Sequence, residues 1–160
     1  MQRAIEPLTN ARQRFPEARA MAWETAATLF EAVVRESTGD SDGAREALAR
    51  MDALFVQGPA WEGRWVQQAM LFVIAGLYER LGDPAMALSV LDREWFNFNE
   101  GDLFEARFAS ERGRLAALTG DTERAIREYT YYLTVRYDPE PALQAEVDEV
   151  RSALAAITGG

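Results

Sequence analysis

The sequence contains no cysteine and no histidine, and all seventeen of its basic residues are arginine. The first two absences remove disulfides, thiolate and imidazole metal sites, cysteine nucleophiles, and every histidine-based general acid or base. Without lysine there is neither Schiff-base chemistry nor a phosphate-loop lysine. Few enzymes are compatible with that inventory. Glycine patterns of the phosphate-loop and dinucleotide kinds are missing too, because no glycine stands close enough to Gly113 or Gly120 to extend either into one. The longest apolar run, Ala69 to Tyr78, is about half a membrane span, and Met1 to Asn10 lack the apolar core of a secretory signal. A cytoplasmic location is therefore the expectation.

What is present is 160 residues, 48% hydrophobic and 27% charged. That composition suits one globular domain that buries roughly 70% of its unfolded surface. The net charge of -9 repels phosphate backbones and anionic lipid heads, so neither a nucleic acid nor a membrane is the expected partner. The densest basic series, Arg107, Arg112, Arg114, Arg124 and Arg127, is diluted by Glu105, Glu111, Asp121, Glu123 and Glu128.

Apolar residues recur at helical spacing along nearly the whole chain, and no segment reads as a strand. The pattern predicts helices near 16–37, 42–56, 60–81, 84–94, 102–119, 122–136 and 140–157. The last has the clearest stripe, in which Leu143, Val147, Val150, Leu154 and Ile157 step by four, three, four and three. At Gly82-Asp83-Pro84 a helix stop meets a helix start: glycine suits a left-handed C-terminal position, aspartate an N-cap, and proline a first turn. Gly120-Asp121 repeats the first two parts of that device.

The helix pairs themselves repeat. Ala75, Tyr78, Gly82, Asp83, Ala87, Leu88 and Leu91 match Gly113, Ala116, Gly120, Asp121, Ala125, Ile126 and Tyr129 at a spacing of 38. A looser upstream unit carries Ala32, Gly39-Asp40 and, after an insertion of about three residues, Ala47-Leu48. At these positions the sequence resembles the tetratricopeptide repeat family, with a small residue, an aromatic three on at Tyr78 (alanine at 116 in the next unit), a Gly-Asp turn, then alanine and a large apolar residue. The segment from Arg114 to Ile157 is similar to the closing repeat and capping helix of such regions in bacterial signalling and regulatory proteins. The resemblance implies an all-α solenoid of stacked antiparallel helix pairs in one domain over 1–160. Its units would be about 16–57, 60–95 and 102–137, with a capping helix at 140–157 and a partial repeat or lead-in at 1–15.

Carboxylates are the only catalytic groups left in quantity, and Glu105, Glu111, Glu146, Asp148 and Glu149 are the candidates. Each stands near arginine or at the spacing of a solvated helix face, so no catalytic residue, metal site or cofactor is expected. Asn97 to Asp102 superficially resembles a calcium loop, but its glycine falls one place early and the distal glutamate is missing. Helix capping by Asn99 or Asp102 explains that stretch better.

In stacked helix pairs the first helix of each pair lines a concave face. On one such helix Leu103, Arg107, Ser110 and Arg114 share a face, and the preceding unit offers Phe72, Gly76, Glu79 and Arg80. The expected partner-binding groove therefore comprises Phe72, Glu79, Arg80, Leu103, Arg107, Ser110 and Arg114. Forked arginine contacts and an apolar anchor at Phe72 suit an acidic or carboxylate-bearing peptide. Trp61 and Trp65, and Trp95, Phe96 and Phe98, either fill the wedge between adjacent hairpins or form a partner-binding hot spot. They could also close a homo-oligomer at the apolar end of a short solenoid.

The expected function is thus a non-catalytic interaction module that holds a peptide or partner domain. The alternative is a regulatory or sensor segment of a larger bacterial signalling or transcription-control protein. An enzyme working through carboxylates is a distant third.

Overall fold

The computed structural model describes residues 17–57, 64–93 and 104–159. These form seven α-helices and no strand: α1 (Glu17–Ser37), α2 (Ser41–Gln57), α3 (Arg64–Arg80), α4 (Pro84–Leu91), α5 (Glu105–Leu118), α6 (Thr122–Val135) and α7 (Gln144–Thr158). A short 3-10 turn, Pro141–Leu143, leads into α7. It occupies the start of the expected 140–157 helix, so the α-helix itself begins at Gln144. Leu103, Trp61, Trp95, Phe96, Phe98, the Asn97 to Asp102 stretch and the lead-in 1–15 lie outside the described residues, as does the side chain of Trp65. The chain divides into two compact units, Met1–Gly82 and Asp83–Gly160.

One local device recurs three times. Gly39, Gly82 and Gly120 all adopt positive φ, at 82°, 83° and 81°, the left-handed conformation that glycine alone takes without a Cβ penalty. Around Gly39 the amide of Asp40 donates to the Arg35 carbonyl and that of Gly39 to Glu36; around Gly120 the amide of Asp121 donates to Ala116 and that of Gly120 to Ala117. These paired bonds satisfy carbonyls that the helix end leaves open. The aspartate that follows then opens the next helix. Asp40 accepts from the Gly43 amide at 3.0 Å, Asp83 from Met86 at 2.9 Å and Asp121 from Arg124 at 3.1 Å.

The three starts are also in step. The amides of Ala44, Ala87 and Ala125 donate to the carbonyls of Asp40, Asp83 and Asp121, and all three alanines are fully buried. Ala44, four residues after Asp40, therefore holds the place assigned from sequence to Ala47. There is no three-residue insertion in the first unit. The sequence misleads there because α2 buries Ala44, Ala47, Leu48 and Met51, a complete i, i+3, i+4, i+7 face with two candidate alanines.

Within the first unit, α1 packs along α2, and α3 also touches α1. Glu31 accepts from Arg35 on its own helix at 2.8 Å and from Arg50 on α2 at 2.6 Å, which ties the hairpin together. Burial pushes the Glu31 carboxyl up, but bonds from Arg50 and Arg35 outweigh it and hold the group below the usual carboxylate range.

In the second unit, α5 packs against α4 and along α6, and α7 lies against α6. Arg124 at the start of α6 forks onto Asp92 just past α4, with Nη1 at 2.8 Å from Oδ2 and Nη2 on Oδ1. The apolar stripe of α7 does what its periodicity requires: Val147 and Val150 are buried, while Leu143, Leu154 and Ile157 are half-buried.

Candidate functional site

The site is built on the α5–α6–α7 arrangement. Both α5 and α7 pack on α6, and between them opens a cleft of about 530 Å³. Positions 107, 110, 111 and 114 line it from α5, a single helical face stepping by three, one and three. Tyr129 of α6 contributes beneath them. The facing wall starts at Ala142 in the 3-10 turn and continues along α7 through Ala145, Glu146, Glu149, Val150 and Ala153.

Tyr129 reaches this place because Gly113 makes room for its ring. A Cβ on Gly113 would lie 2.6 Å from Tyr129 Cδ1 and 2.7 Å from Cε1, where carbon atoms ordinarily sit about 3.5–4.0 Å apart. The ring is 4% exposed. Burial pushes its phenol pKa up; Glu111 adds to the shift and Arg114 opposes it.

Of the residues expected from sequence, Arg107, Ser110 and Arg114 come together here. Arg114 donates from Nε at 3.0 Å and from Nη2 at 2.9 Å to the same oxygen of Glu111. The Ser110 hydroxyl donates to the Arg107 carbonyl at 3.1 Å. Phe72, Glu79 and Arg80 belong to the first compact unit, where Arg80 on α3 donates to Glu36 on α1 at 3.0 Å.

No family model, curated protein or solved structure matches this chain.

The α7 wall was not singled out in the sequence as part of the groove. Its signal is nonetheless there, since Ala142, Ala145, Glu149 and Ala153 recur at three and four residues beside the buried stripe. Of the carboxylates weighed as catalytic candidates, Glu111, Glu146 and Glu149 line the cleft. Glu105 instead accepts from the Tyr131 hydroxyl at 2.5 Å, and Asp148 accepts from Gln144 and Arg151, each at 2.9 Å. Among the described residues no cluster of acidic side chains could hold a metal ion, and no helix is long and apolar enough to cross a membrane.

On α6 the hydroxyl of Tyr132 is buried and has no hydrogen-bond partner in bonding geometry among the described residues. Burial first, then hydrogen-bonding attraction toward the Glu146 carboxylate and its charge, push the pKa of the phenol up to about 12. The arginines of the diluted basic series are largely committed to carboxylates: Arg112 to Glu128 at 3.2 Å, Arg124 to Asp92, and Arg127 to Glu123 at 2.7 Å.

Proposed function

We propose that this chain is a non-catalytic protein-interaction module of the tetratricopeptide-like kind, working in the bacterial cytoplasm and holding a peptide or partner domain against α5 and α7. The observation that supports this reading most is the open cleft faced by one side of each helix, with arginine and glutamate side chains at its walls. A surface of this form offers orientation and charge pairing to a polypeptide. The repeated glycine-aspartate turns, with their buried alanines in step, support the repeat character of the helices that build it.

The test is affinity capture from the source organism with the full chain and with an Arg107→Glu, Arg114→Glu double variant. Retained proteins are identified by mass spectrometry, and the purified partner is then titrated calorimetrically. Loss of affinity by more than about tenfold is expected, with melting lowered by only a few degrees because exposed ion pairs such as Arg114–Glu111 contribute about 0–1 kcal/mol. A partner bound equally well by the double variant would remove the cleft as the site of capture.

A further inference from the structure

The two walls of the cleft differ in sign. On α5 the charged lining residues are Arg107, Glu111 and Arg114, the last two bonded to each other. On α7 the charged lining residues are Glu146 and Glu149. Arg151, the one arginine of that helix, lies outside the lining and donates to Asp148. The α5 wall is therefore net positive and the α7 wall net negative, so the potential changes sign across the width of the cleft.

Such a field discriminates between ligands. A uniformly acidic peptide gains at α5 and is repelled at α7, while a uniformly basic one meets the reverse. In an extended peptide, successive side chains point to opposite sides. Alternating acids and bases therefore place all the acids on one side and all the bases on the other. We propose that the cleft takes an extended peptide segment whose acidic and basic side chains alternate, acids toward Arg107 and Arg114 and bases toward Glu146 and Glu149. Ala145 and Ala153 leave room along the α7 wall for the longer basic side chains. This inference rests on the interaction-module reading and replaces its general acidic ligand with a dipolar one.

Three end-capped, fluorescein-labelled octapeptides test it by anisotropy on the full chain: alternating Glu-Arg, a block of four Glu followed by four Arg, and all-Glu. The alternating peptide is expected to bind about tenfold tighter than either of the others at low salt, with the advantage shrinking at high salt. Glu149→Gln should weaken the alternating peptide and strengthen the all-Glu peptide, whereas Arg107→Gln should weaken both. An all-Glu or block peptide that binds as tightly as the alternating one overturns the proposal and leaves the interaction-module reading standing. Failure of all three peptides also overturns it, and the calorimetric titration of the captured partner then decides separately whether the module reading falls with it.

Discussion

Adding one methyl group at Gly113 should destabilise the protein, and adding one at Gly76 should stabilise it. Both glycines lie inside helices, where replacement by alanine ordinarily contributes about 0.8–1 kcal/mol of stability through backbone entropy. At Gly76 the new Cβ meets, among the described residues, just the guanidinium of Arg80 at 3.4 Å, so most of that gain should be realised. At Gly113 the Cβ falls 2.6 and 2.7 Å from two carbons of the buried Tyr129 ring and 3.2 Å from a third. Relieving that overlap means moving the ring by roughly 1 Å, and overpacking of this kind costs about 1–3 kcal/mol. The balance is a net loss of about 1 kcal/mol for Gly113→Ala, rising toward the upper end of the range for Gly113→Leu. Urea unfolding followed by circular dichroism reads both signs from the shift in midpoint. In a Tyr129→Ala background the penalty at Gly113 should vanish, because the clashing atoms are gone. If the two glycines respond alike, or the penalty survives without the ring, the assigned seam between α5 and α6 is wrong.

The other outcomes follow from the caps and the buried phenol. Asp83→Ala and Asp121→Ala should each cost about 1 kcal/mol by removing the acceptor for Met86 or Arg124, and Asp121→Asn should retain most of it; unchanged urea midpoints in the alanine variants would count against the capping role. Tyr132 titrates near 10 in the unfolded chain and about 12 in the folded one, so the unfolded state loses the proton first as pH rises. Its contribution is complete below pH 10 and disappears through pH 12, a decline on the order of 2 kcal/mol. Tyr132→Phe should flatten that decline in pH-dependent urea titrations, because it removes the group that titrates. Equal alkaline slopes in the two proteins would refute the assignment.

The parts of the fold that were legible in the sequence are those decided within about five residues. A left-handed glycine and a capping aspartate are local events, and the turns at Gly39, Gly82 and Gly120 have the form their letters imply. The α5 face was legible for the same reason, because Arg107, Ser110 and Arg114 share it through helical periodicity alone. What faces those residues was not, since the answer depends on how α7 lies against α6, a matter of packing between helices. Two local details also differ from the sequence reading: the last α-helix starts at Gln144 after a 3-10 turn and not at 140, and Ala44, not Ala47, stands four residues after the cap in α2. In each case the apolar pattern fits more than one register, and the backbone hydrogen bonds fix it.

The repeat also shows how a shared frame acquires a particular site. Seven residues before the turn glycine stand Ala32, Ala75 and Gly113; nine residues after it stand Leu48, Leu91 and Tyr129. Where the later position grows from leucine to tyrosine, the earlier one shrinks from alanine to glycine, and the Gly113–Tyr129 contact shows the physical link directly. The exchange conserves volume at the seam, which a close-packed interior requires. It also puts an aromatic ring into the same cleft lining as Arg107 and Arg114, in the hairpin that α7 follows. The leucine-to-tyrosine change at this repeat position thus goes with the glycine that accommodates it, and the ring it introduces is part of the cleft lining.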